Sequence, residues 1–172
     1  MISKNKKKIK SLFYLTKTDV KLFVLSLIIF LPIDLITKYF AFKIQNEGIY
    51  ICSIINFFKV KNYGISFGLL SKNSDTSIYF ILLTNIVIMC YLFYCFKLKN
   101  NYKYPTLFVF NACLILCGAI GNFIDRIYYG FVRDFIDVHL REYHWPCFNV
   151  ADVYICIGVG LFIVCELFFK KN

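Results

Sequence analysis

The sequence predicts an all-α polytopic membrane protein: four transmembrane helices, with a small β-rich cradle and an interfacial segment on the outer side. Three observations predict it. The 172 residues are 59% hydrophobic, above the roughly 45–50% of soluble domains. Four stretches are long and apolar enough to cross a bilayer. The net charge of +10 gathers in one set of segments instead of spreading evenly.

A hydrocarbon core of about 30 Å needs about 20 helical residues at 1.5 Å each. The first span covers 20–40 and contains the uncharged run 22–33. A basic start before an apolar core is also how a signal peptide begins. The adjoining stretch, DLITKYFAFKIQ, is charged and aromatic with no small-residue cleavage site, so a retained helix is expected. The second span, 77–96, and the third, 105–124, carry no charge, and Pro105 suits a first helical turn. The fourth, 150–169, is charged only at Asp152 and Glu166. A basic tail over 1–19 and one membrane-embedded domain over 20–172 are therefore expected.

Four spans put the tail, the 97–104 loop and the C-terminus on one side. Those segments, with Lys21 at the edge of the first span, hold twelve of the twenty basic residues, including Lys97, Lys99, Lys103, Lys170 and Lys171. Eight of the ten acidic residues lie at the other side or its helix ends. By the positive-inside rule both termini are cytoplasmic. The basic excess then reflects topology and attraction to anionic lipid, about 1 kcal/mol per lysine. Membrane lipid is an expected partner and nucleic acid is not.

Two segments remain for the outer side. In 49–70, Phe58 and Val60 alternate with Lys59 and Lys61, and "NYG" at 62–64 marks a turn. A hairpin or small sheet lying on the membrane surface is expected. In 125–149, "FVRDFIDVHL" suits a strand or an interfacial helix. Six of the eight cysteines fall inside spans and suit buried small hydrophobes. Cys52 and Cys147 are the one pair that could bridge.

Asp152 needs a reason to stand in the first turn of an apolar span. Asn149, three residues earlier, is a favoured N-cap, and an acid at the third helical position completes a capping box. The helix dipole favours negative charge there too. Asp134 lies on the segment that joins spans three and four, so both acids belong near one interface. Two carboxylates in a partly desolvated site share a proton, and such a pair can activate water and protonate a departing amide. Asp152, at a helix N-terminus, is the better holder of charge, and Asp134, among apolar neighbours, the better holder of the proton. Coupled sites titrate as a pair, and Arg133 beside Asp134 works against that assignment. Asp34 and Lys38 stand four apart and suit an ion pair at a membrane boundary. Asp125 and Arg126 suit either interfacial anchoring or, through the arginine, a clamp on a substrate carbonyl. His139 and His144 have no metal-ligand spacing, and no metal or cofactor is expected.

Four blocks together resemble one family. They are "DLITK" at 34–38, "NYGISFG" at 62–68, "GAIGNFIDR" at 118–126 running into "GFVRDF" at 130–135, and "FNVADVYICIG" at 148–158. In this order and spacing they resemble lipoprotein signal peptidase (signal peptidase II), a bacterial inner-membrane aspartic peptidase of family A8. The resemblance covers residues 20–170. It implies that Asp134 and Asp152 form the catalytic dyad, and that Asn62, Arg126 and Asn149 hold the substrate backbone. Asn122 and Asp125 would shape the site, with Asp34, Lys38 and Gly64 supporting it. The substrate it implies is a prolipoprotein cut just before a diacylglyceryl-modified cysteine, by a monomer with its site near the outer (periplasmic) face. The chain departs at Cys117, where another glycine is usual, at Arg133, where an apolar residue is common, and in its longer lysine-rich tail.

Two other functions compete on residues alone. A small transporter or channel would line a polar path with Asp34, Lys38, Asp125 and Asp152. A non-enzymatic scaffold would use the carboxylates only as helix caps.

Overall fold

The computed structural model describes residues 16–44, 48–63, 83, 86–88, 90, 91, 94, 95 and 97–171. Three of its helices are long and apolar enough to cross a membrane: α1 (Lys17–Lys43), α2 (Pro105–Tyr129) and α3 (Val150–Phe168). The predicted second span lies mostly outside the described residues, and the described ones at 86–88 and 94–95 are helical.

α1 starts three residues before the predicted boundary because Thr16 and Asp19 form a reciprocal capping box. It continues through Pro32. A proline removes one ladder hydrogen bond, which a membrane helix packed against neighbours tolerates. α2 runs five residues beyond the predicted end, to Tyr129, and closes on Gly130 in a left-handed cap (φ 75°). That conformation suits glycine and turns the chain back at once into a strand.

The strands are β1 (Gly48–Cys52), β2 (Ile55–Asn62), β3 (Val132–Leu140) and β4 (Tyr143–His144). They form one antiparallel sheet in the order β1-β2-β3-β4. "FVRDFIDVHL" is thus a strand, the first of its two predicted forms. The hairpin turn falls at Ser53–Ile54, well before the "NYG" that marks a turn in the sequence. Asn62 ends β2, and Gly64 lies outside the described residues. The alternation expected at Phe58–Lys61 fails. β2 shifts register against β3 between Phe57 and Val60, and all four side chains are exposed.

α2 is the inner helix. It packs most heavily against α3, then against α1. Its buried face carries Phe108, Ala112, Leu116 and Ala119. α1 and α3 turn rows of apolar residues outward, among them Ile28, Ile29, Phe40, Ile163 and Leu167. Two glycines on α2 allow close approach. A Cβ at Gly118 would lie 2.3 Å from the Ala151 carbonyl oxygen. One at Gly121 would lie 2.3 Å from Asp34 Oδ2.

A polar layer closes each end of this bundle. At the end away from the sheet, Lys99 pairs with Asp19. Glu166 accepts from Tyr94 (2.7 Å), Lys170 (2.8 Å) and Tyr102. These contacts account for the second charge in the fourth predicted span. The other layer holds Asp34, Asp125, Asp134 and Asp152. The fourteen-residue step from Asp152 to Glu166 sets the layers about 21 Å apart along α3.

Cys52 and Cys147 are both free. The segment carrying Cys147 bonds the edge of β3 opposite β2, through Trp145 N to Val138 O (2.8 Å) and the Phe148–Ile136 bridge. Three strand spacings, about 14 Å, separate it from β1, and a disulfide needs Cα atoms within about 7 Å. The bridge the sequence left open is therefore not made.

Gly118→Val should force α3 away from α2 beneath the site. Overpacking of this kind costs about 1–3 kcal/mol. The expected result is a lower thermal midpoint in detergent together with reduced activity, whereas Gly160→Val, whose Cβ meets nothing within 4 Å among the described residues, should leave both near the parent values.

Candidate active site

The site is built around the start of α3. Asn149 is the N-cap. Its Oδ1 accepts from Asp152 N (3.1 Å), and Asp152 Oδ2 accepts from Asn149 N (3.2 Å). The capping box predicted for this pair is present. It uses one carboxylate oxygen of Asp152 and leaves Oδ1 for Asn122, whose Nδ2 donates at 2.8 Å. The Asn149 side-chain amide turns the other way. It donates to Asp134 Oδ1 at 2.6 Å and to Asn122 Oδ1 at 3.1 Å. One residue thereby touches both acids.

Asp134 sits on β3, 2% exposed. Its second oxygen accepts from Asn62 Nδ2 at 3.0 Å. The register shift in β2 makes that contact possible. Beyond it, Val60 stands opposite Asp134 and Asn62 opposite Val132, so Asn62 is the diagonal neighbour on Asp134's face. Without the extra residue, Asn62 would fall on the other face of the sheet.

Asp34 and Lys38 form the predicted i,i+4 pair at 2.8 Å, both fully buried. Lys38 also donates to Asn122 Oδ1 at 2.8 Å and lies 3.5 Å from Asp125 Oδ2. Asp34 Oδ1 accepts from Ala151 N at 2.8 Å, binding α1 to the first turn of α3. Gly121 leaves the room for its carboxylate.

The Gly130 turn brings β3 back along α2 and sets Arg133 on Asp125. Arg133 donates from its backbone N (2.9 Å), Nε (3.0 Å) and Nη2 (2.7 Å), and its guanidinium lies 4.3 Å from the Tyr129 ring centre. Arg126 Nη1 donates to Asn122 O at 3.4 Å, and its charge lies within electrostatic reach of Asp152, Asp134 and Asp125.

Acids and partners sort by type. Asp34 and Asp125 are held by cations. Asp134 and Asp152 take hydrogen bonds from the amides of Asn62, Asn122 and Asn149. A cation holds a carboxylate ionised. An amide also stabilises the anion, but without opposing charge, so the proton can return. Burial, opposed by the Asn62 and Asn149 hydrogen bonds and reinforced by the charge of Asp152, pushes Asp134 up to about 6. This agrees with Asp134 as the proton holder. Arg133 does not undercut it, because its side chain is committed to Asp125.

The structure thus gathers Asp34, Lys38, Asn62, Asn122, Asp125, Arg126, Asp134, Asn149 and Asp152 into one cluster, with Gly64 outside the described residues. It adds Arg133, which the sequence offered only as a disturbance. The signal was there: an arginine inside an apolar strand, eight residues after an aspartate. Farther along β3, His144 Nδ1 lies 2.8 Å from Asp137 Oδ1, and His139 stacks on His144. A channel lined by Asp34, Lys38 and Asp125 fits poorly, since these three are locked against one another.

A family model described as Signal peptidase (SPase) II matches residues 25–168. The chain belongs to the signal peptidase II family. The lipoprotein signal peptidase of Pelagibacter ubique is 40% identical, over 92% of this chain and 96% of its own. That of Francisella tularensis subsp. novicida is 36% identical over 92% and 98%. Two solved structures, each titled as a bacterial membrane enzyme, superpose with TM-scores of 0.70 and 0.69 at 32% and 30% identity. They cover 90% and 92% of this chain, and 90% and 97% of their own. This family acts in lipoprotein processing, and its proteolytic activity excludes a transporter or a mere scaffold.

Lys38→Met should leave Asp34 buried without its cation. Breaking a buried ion pair costs about 3–5 kcal/mol, and the loss should appear as a large drop in thermal midpoint in detergent. Asp134 gives a second expectation. A carboxylate whose folded value is raised to about 6 binds its proton more tightly folded than unfolded. Its contribution to stability is full below its ordinary value and is lost as pH rises through the folded one. The midpoint of Asp134→Asn minus that of the parent should therefore climb between about pH 4 and pH 7. A flat difference would contradict the raised value.

Proposed function

We propose that Asp134 and Asp152 are the catalytic dyad of an aspartic endopeptidase. It removes signal peptides from diacylglyceryl-modified prolipoproteins by cutting before the lipidated cysteine. The observation that carries this reading is Asn149, which holds Asp134 through its side-chain amide and Asp152 through its backbone N–H.

The chemistry needs one proton on the pair. Asp152, half-buried at the N-terminus of α3, holds the negative charge that the helix dipole favours. It takes a proton from water as the water oxygen attacks the scissile carbonyl. Asp134 gives its proton to the carbonyl oxygen. When the gem-diol intermediate collapses, Asp152 gives its proton to the departing nitrogen and one hydroxyl of the intermediate returns its proton to Asp134 as the carbonyl re-forms, so the pair again holds one. Asn62, Arg126 and Asn149 hold the substrate backbone. Asp34, Lys38, Gly64, Asn122 and Asp125 keep the acids in place. The monomer works without metal or cofactor.

Depth supports the same substrate. α2 extends seven residues past Asn122 to Tyr129, so the site is sunk about 10 Å below that helix end. Exposed Ile127, Tyr128 and Tyr129 ring the end. A four-span chain with both termini in the cytoplasm would then hold its acids just inside the outer face of the inner membrane. A lipidated cysteine reaches that depth with its acyl chains still in the bilayer.

Asp134→Asn and Asp152→Asn should each lower cleavage of a diacylated prolipoprotein by at least about 10³-fold, with the protein still inserted and folded. Cleavage retained by either variant would remove the dyad.

A further inference from the structure

We propose that Arg133 is a positioning residue that keeps the acid pair at one shared proton by neutralising Asp125. The inference rests on the dyad reading and concerns a side chain that the reading does not use.

The charges facing the acids come from five elements. α1 supplies Asp34 and Lys38. α2 supplies Asp125 and Arg126, with Tyr129 stacked on Arg133. β3 supplies Arg133 and Asp134, and α3 supplies Asp152. From β2, Lys61 stands opposite Arg133 but turns its ammonium over the Phe131 ring, 5.2 Å from its centre. Asp137, farther along β3, is engaged by His144 and Asn56. Among the described residues the cluster thus holds four carboxylates, Asp34, Asp125, Asp134 and Asp152, against three cations, Lys38, Arg126 and Arg133. One proton on the pair makes it neutral.

Lys38 cannot balance Asp125 alone. It is already hydrogen-bonded to Asp34 and Asn122 at 2.8 Å each and stands 3.5 Å from Asp125. Arg133 meets Asp125 with three hydrogen bonds at 3.0 Å or less. It is 6% exposed and Asp125 is 0% exposed, so solvent screens neither charge. Without Arg133, the Asp125 charge would act on the pair directly and would draw Lys38 from Asn122. Asn122 is the residue whose amide holds Asp152. Both effects make the pair bind protons more tightly, and the second proton, which removes the base, would bind at a higher pH.

The test is the pH profile of cleavage of a synthetic peptide carrying a diacylglyceryl cysteine, each variant normalised to its own maximum. Arg133→Met should move both limbs to higher pH by about one unit. Arg133→Lys, which keeps the charge and loses the fork, should stay near the parent position. Asp125→Asn should move the limbs to lower pH, and Arg133→Met with Asp125→Asn should return them to the parent position. The charge-balanced double variant set against Asp125→Asn reads the same effect if Arg133→Met does not accumulate. Limbs that stay in place in Arg133→Met with only the amplitude reduced, or a double variant with the same limbs as Asp125→Asn, would reduce Arg133 to a structural brace. Asp134→Asn and Asp152→Asn run alongside: cleavage by either sinks the dyad itself, whereas a fixed profile with both inactive sinks only the role of Arg133.

Discussion

The arrangement depends on Asn149. A helix must satisfy its first N–H groups, and an N-cap with an acid three residues on is a common solution. Here the cap's own amide is left over, and it reaches Asp134 on the neighbouring strand. The geometry that starts α3 is therefore the geometry that joins the two acids. Asn122, one helix away, completes the ring by holding Asp152 and accepting from both Asn149 and Lys38.

Charge is divided with the same economy. Burying a carboxylate is costly unless a cation or several donors meet it. Asp34 and Asp125 receive cations, which pin α1, α2 and β3 together. Asp134 and Asp152 receive amide hydrogen bonds instead. The raised value of Asp134 costs stability at neutral pH. The ion pairs around it hold the frame against that loss.

The far polar layer has a different task. Lys99 on Asp19, and the phenols and Lys170 on Glu166, join the connection into α2 to the first turn of α1 and the last turn of α3. Backbone bonds add to this, from Lys103 N to Phe169 O and from Lys171 N to Asn101 O. With both ends tied and apolar packing between, the helices cannot slide without breaking buried charge contacts. The acids at the other end keep their depth.

The sequence alone determined what short-range spacing controls. Apolar run lengths marked three helices that the structure describes. Asn149–Asp152 predicted a capping box, Asp34–Lys38 predicted an ion pair, and the ordered blocks predicted the cluster of acids and amides. All of these depend on residues within one or two turns, or on patterns read along the chain. What only the tertiary structure decided depends on register and direction across elements. The bulge in β2 brings Asn62 to Asp134's face, a shift that the alternating Phe58–Lys61 pattern conceals. The sheet order sets Cys52 and Cys147 too far apart to bond. Arg133 and Asp125 meet because the Gly130 turn folds β3 back on α2, and Glu166 finds Tyr94 and Tyr102 far earlier in the chain. Such contacts are fixed by how elements stack, which no local period encodes.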